Sequence, residues 1–168
     1  VQVANVYAPR QRQEDESMKI LGIDPGTKCG WAILDNKKRV ASGVFDLKPR
    51  RHEGGGMRFV RLERYLLEIL NTYTVDLLAY ELVRRHLGTD AAHVYGGIIA
   101  SLTRLAEERG LPYRGVPVGT CKKAFCGKGN ASKTMMIQEA VVRFGITCCD
   151  NEADALAVAW TLGEELGW

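Results

Sequence analysis

Apolar positions fall first into short runs and then into helical spacing. Lys19 to Asp24, Gly30 to Asp35 and Val40 to Asp46 are three such runs. Pro25-Gly26 lies in the first gap and "NKK" in the second, so the runs predict a three-strand meander. A basic, glycine-rich loop, "KPRRHEGGG", follows. Met57, Val60, Leu62, Tyr65, Leu66, Ile69 and Leu70 then recur with a largely helical period and predict a helix to about Asn71. "VDLLAYE" is a short apolar run closed by a carboxylate, which suits a strand buried on both faces. Thr89 is placed to cap a helix that runs to Arg109 and stops at Gly110. Gly96 and Gly97 inside it cost about 1 kcal/mol each relative to Ala, which points to close packing against another backbone, a second subunit being one candidate. "LPYRGV" predicts a fifth strand. Ser132 begins a helix that ends at Gly145, and Asp150 is placed to cap a last helix from Asn151 to about Leu162. The order β-β-β-α-β-α-β-α-α predicts an α/β fold, a mixed five-stranded sheet with helices packed on it. Residues 1–17 read as an N-terminal extension and residues 18–168 as a single domain.

Composition narrows the class. The chain has 168 residues, 46% apolar and 26% charged, which is ordinary for a soluble globular protein. No apolar run approaches the roughly 18 residues of a membrane span, so no membrane partner is expected. The N-terminal stretch lacks the apolar centre of a signal peptide. Five cysteines, an odd number with Cys148 and Cys149 adjacent, do not form a disulfide framework. They suit reduced thiols in the cytoplasm, with a Cys121–Cys126 pair as the alternative.

The net charge of +3 is modest, but the charges are segregated. Residues 111–133 carry Arg114, Lys122, Lys123, Lys128 and Lys133 and no acid. Lys48, Arg50, Arg51, Arg58, Arg61 and Arg64 cluster against only Glu53 and Glu63. From residue 145 onward there is no Lys or Arg, but there are five acids. Such segregation fits a polyanion surface beside an acidic pocket.

Three acids stand at the tips of apolar elements. Asp24 ends the first run, Glu81 ends "VDLLAYE", and Asp154 lies early in the last helix within "DNEADALAVA". Carboxylates so placed can hold hard divalent cations. Two such cations about 3.5–4 Å apart can activate a water and stabilise a leaving oxygen on a phosphate. Asp150 and Asn151 precede Asp154 by four and three residues and can share its helix face, whereas Glu152 points elsewhere. Each acid also has a plain reading as a turn former, a solvated strand end or a helix cap.

"ILGIDPGTKCGWAILD", "AYELV" and "NEADALAVAW", with "GKGNASK" between the last two, resemble the RuvC-type Holliday junction resolvases, from about Lys19 to Trp160. The short variable segments are more like the phage and poxvirus branch. The resemblance implies a ribonuclease H-like fold and a homodimer. It also implies hydrolysis dependent on magnesium or manganese, two ions per active site, with no nucleotide cofactor. The implied substrate is a four-way DNA junction, nicked on two strands to leave 5′-phosphates. The family's acids fall on Asp24, Glu81 and Asp154. Its fourth ligand, an Asp or His, falls on Asn151, a departure that Asp150 can make good. Several members carry an aromatic where Arg84 stands. Lys122 or Lys123, and Lys133, match family lysines near the scissile phosphate, Lys133 as a catalytic group. Arg50, Arg51, Arg58, Arg84 and Lys128 are further candidates for DNA contact, and His52 and His86 weaker ones. "AAHVYGGIIASL" aligns with the region that pairs subunits, with His93 and Tyr95 as packing or interface residues.

Two alternatives stay within the fold: a nuclease for other branched DNA, and a junction-binding protein whose cleavage Asn151 impairs. The "GIDPGT" stretch also resembles the first phosphate motif of actin-like sugar kinases, which bind nucleotide between two domains.

Overall fold

The computed structural model describes residues 17–85 and 88–168. The first three strands are β1 (Lys19–Asp24), β2 (Lys28–Asp35) and β3 (Lys38–Asp46), antiparallel neighbours in a meander. Asn36 and Lys37 both have positive φ, so the β2–β3 connection is a tight hairpin turn that matches the strand twist. Helix α1 (Met57–Thr72) leads to β4 (Leu77–Leu82), and α2 (Thr89–Glu108) leads to β5 (Tyr113–Pro117). Then come α3 (Val118–Cys126), α4 (Lys133–Phe144) and α5 (Asp150–Glu165). The strand order is β3-β2-β1-β4-β5, with β4 parallel to both β1 and β5. The expected mixed five-stranded sheet is therefore present.

Side chains alternate across the sheet. Ile20, Ala32, Leu34, Ala79 and Val116 face α3, α4 and α5. Leu21, Ile23, Cys29, Ile33 and Leu78 face α1 and α2. The sheet thus separates two apolar layers. All five cysteines are free thiols, so Cys121 and Cys126 are not bonded. Among the described residues no helix is long and apolar enough to cross a membrane.

Several expectations are corrected. Residues 118–126 form α3, so Lys122 and Lys123 sit on a helix that the apolar spacing does not predict. Thr89 and Asp150 are the first helical residues rather than caps; Gly88 and Cys149 hold the cap positions without a side-chain bond. Ser132 does cap α4, its side chain accepting from the Met135 N–H. Strand β4 runs one residue past Glu81, to Leu82. Of the glycine pair of α2, Gly97 has an explanation inside the chain. A Cβ on Gly97 would lie 2.4 Å from the Phe59 ring of α1, whereas Gly96 faces open space. His86 and residues 1–16 lie outside the described residues.

Candidate active site

Asp24 and Glu81 arrive on neighbouring strands. Ile23 pairs with Tyr80 in the parallel β1–β4 ladder, so the two acids follow at matching positions. By alternation both side chains share the face of Ile20 and Ala79, the one covered by α5. Helix α5 reaches that face because two glycines let it. A Cβ on Gly22 would lie 2.3 Å from the Ala155 carbonyl oxygen and 2.8 Å from the Ala159 nitrogen. A Cβ on Gly30, the residue paired with Asp24, would lie 1.9 Å from the Asn151 carbonyl oxygen. The helix backbone therefore rests directly on β1 and β2, and Asp154 is delivered beside the two strand tips.

The electrostatics report the convergence. Burial is the largest cause lifting the Asp24 carboxyl, to about 8; the charges of Glu81, Asp154 and Asp150 add to it and Lys133 opposes. Glu81, only 8% exposed, is pushed up to about 7 by burial and then by Asp154, with Lys122 opposing. Asp154 rises to about 6, mainly through burial; Asp150 adds, while Lys122 and Lys133 pull it back. These three carboxylates are not too far apart to feel one another. Among the described residues none of them receives a side-chain or backbone hydrogen bond. Nor, among those residues, does any group of three or more His, Cys or acidic side chains come together closely enough to hold a metal ion. The acids share one electrostatic neighbourhood rather than one coordination point.

The donor set nevertheless suits a hard divalent cation. It is all oxygen, buried at Glu81 and half-buried at Asp24 and Asp154, and without a hydrogen bond to any of the three among the described residues, conditions under which a cation relieves the mutual repulsion. Asp24, Glu81 and Asp154 would be the residues to hold it. Asp150 is engaged otherwise, in an ion pair with Lys133 that holds its carboxyl below the usual range. Glu152 points away, as expected, and accepts a hydrogen bond from Ser42 of β3 at 2.5 Å.

Two cations border the acids. Lys122, half-buried on α3, acts on Glu81 and Asp154. Lys133, with a side chain 78% exposed, opens α4 and acts on Asp24, Asp154 and Asp150. Arg143 holds their two helices together. It donates to the Phe125 carbonyl of α3 at 2.9 Å, and its guanidinium lies 4.2 Å from the centre of the Trp160 ring of α5.

The remaining candidates are spread around this centre. Arg50 and Arg51 are exposed in the loop before α1, beside His52. Arg58 is half-buried and donates to the Gly55 carbonyl. Arg84 is exposed just beyond β4, and Lys123 and Lys128 are exposed near the end of α3. Tyr95 is tied to β4 by two hydrogen bonds, from the Val83 N–H and to the Glu81 carbonyl, both 3.0 Å. Its position in an apolar helix stretch carries no signal of that role.

Comparison with known proteins shows the family. The sequence model described as "Crossover junction endodeoxyribonuclease RuvC" matches residues 20–162. A protein of that name from Anaeromyxobacter sp. is 33% identical over 148 residues, covering 84% of this chain and 71% of the relative. Another, from Corynebacterium glutamicum, is 33% identical over 131 residues, covering 72% of this chain and 57% of the relative. The chain thus spans little more than half the length of that second relative. Among solved structures, T. thermophilus RuvC in complex with a Holliday junction substrate superposes with a TM-score of 0.77 at 25% identity, covering 89% of this chain and 94% of the other. The chain belongs to the RuvC family of crossover junction endodeoxyribonucleases.

Proposed function

We propose that this chain resolves four-way DNA junctions by hydrolysing phosphodiesters at the Asp24–Glu81–Asp154 site, with magnesium or manganese, two ions per site, as a homodimer. One observation carries the reading. Three carboxylates from β1, β4 and α5 share one electrostatic neighbourhood, buried at Glu81 and half-buried at Asp24 and Asp154, with two lysines at its edge. The family's name and the junction bound to the T. thermophilus relative support the substrate.

A divalent cation bound there supplies a Lewis acid that lowers the pKa of water and stabilises the leaving oxygen. The chain's own residues do the rest. Asp24 and Glu81 present oxygens from rigid strand ends, and Asp154 from the first turns of a helix. Asp150 or Asn151 adds a fourth oxygen. Lys122 and Lys133 stabilise charge that develops on the phosphate. Lys133 reaches it by exchanging its Asp150 partner for a phosphate oxygen, which its exposure permits. Arg50, Arg51, Arg58, Arg84, Lys123 and Lys128 grip flanking phosphates. A two-fold dimer matches the two-fold symmetry of the junction, so two opposed strands are cut.

The test is a panel of end-labelled substrates incubated with the purified chain in magnesium and then in manganese. Four-way junctions are expected to receive paired nicks with 5′-phosphate ends, while flaps and linear duplex stay whole. Binding without nicking overturns the catalytic reading. Equal cutting of flaps overturns the junction preference.

A further inference from the structure

Strand β4 has a neighbour on each side for only part of its length. β5 accompanies it to Leu82, opposite Pro117. On the other side Ile23 lies opposite Tyr80, and the same register continued two residues sets Pro25 opposite Leu82. The Leu78 N–H donates to the Pro112 carbonyl at 2.9 Å, so the even-numbered amides of β4 turn toward β5. The odd-numbered ones turn toward β1, Glu81 among them, and the same alternation continued one residue past the strand turns Val83 that way too. In a parallel ladder one residue bonds both flanks of the residue opposite. A β1 residue facing Leu82 must therefore donate to the Glu81 carbonyl and accept from the Val83 N–H. Pro25 has no N–H to give.

Tyr95 occupies that place. Its hydroxyl donates to the Glu81 carbonyl and accepts from the Val83 N–H, each at 3.0 Å. A hydroxyl carries one proton and two lone pairs, so a single oxygen meets both demands. The phenol stands at a groove of about 430 Å³ whose wall includes Pro25, Gly26, Thr27 and Val83. We propose that Tyr95 is a positioning residue for DNA cutting: its hydroxyl replaces the strand residue that Pro25 cannot be, and so fixes the peptide plane leaving Glu81 and the direction of the Glu81 carboxylate. The role rests on the Asp24–Glu81–Asp154 reading.

The test compares the wild-type chain with Tyr95→Phe, which keeps the ring and removes the oxygen. Three quantities are read: amide hydrogen exchange at Val83 without metal, manganese affinity by calorimetry, and single-turnover cutting of a four-way junction. In Y95F, faster exchange at Val83, weaker manganese binding and a rate loss of about ten- to a hundredfold are expected, with junction affinity unchanged. Faster exchange with wild-type manganese affinity and cutting overturns the proposal. A lowered Tm with unchanged manganese affinity also overturns it, because it leaves Tyr95 a packing residue only. Should the wild-type chain cut no junction, the functional reading fails by itself. Exchange and manganese affinity then still decide whether the hydroxyl orients Glu81.

Discussion

Under the proposed assignment, replacing Asp24 by Asn removes one half-buried ionisable carboxyl and one hard ligand together, so two separate measurements should respond. Junction cutting is expected to vanish while junction binding in chelator persists; cutting at the wild-type rate would end the assignment. The second effect concerns stability. In the unfolded chain Asp and Glu lose their protons near pH 4. In the folded chain Asp154, Glu81 and Asp24 hold theirs to about 6, 7 and 8. The folded state therefore binds more protons across that window, and stability falls as pH rises through it. In chelator, the wild-type Tm should decline from pH 5 to pH 8. D24N should flatten the upper part of that decline and exceed wild type at pH 8, by about 2–4 °C for each kcal/mol relieved. A wild-type Tm that stays level over this range would contradict the burial account. Manganese should raise the wild-type Tm, since a ligand that binds only the folded state stabilises it, and should do so far less in D24N.

At the scale of elements, the packing of α5 on β1 and β2 governs where Asp154 sits. Gly22→Ala or Gly30→Ala puts a methyl into helix backbone, which cannot yield as a flexible side chain does. Each is expected to cost about 1–3 kcal/mol by overpacking and to slow cutting further by displacing Asp154, as thermal melts and junction assays would register. The strands, the "NKK" turn and the Ser132–Gly145 helix are legible in the sequence because their signals are local: apolar runs, turn residues, a capping hydroxyl. Helix α3 lacks such signals for a physical reason. It starts after Pro117 without a side-chain cap and buries only Cys121 and Phe125, too few for a recognisable stripe. The acids can be suspected singly from their places at element tips. Their meeting depends on parallel register and on two glycines under a helix, which no local pattern encodes. Gly97 is legible as a close approach, but its partner, Phe59 of the same chain, is not.

Across the whole molecule, lysines and arginines gather on the β3–α1 loop and around α3, while the acids retreat into the sheet's end. DNA binding should accordingly weaken with salt. Lys122→Ala with Lys123→Ala should flatten the log–log salt slope by about 0.9 for each duplex phosphate that the pair neutralises. Fluorescence anisotropy across a salt series reads this directly, and an unchanged slope would remove both lysines from the interface. The division of the core into two layers bears on synthesis as well. Helix α5, the last of the described elements, supplies both the cover of one sheet face and the third carboxylate. A ribosome-bound chain stopped before residue 150 exposes that face and lacks Asp154. Under the proposed assignment, strand-breaking capacity is acquired only once α5 has been made, so fragments that stop before it cannot cut.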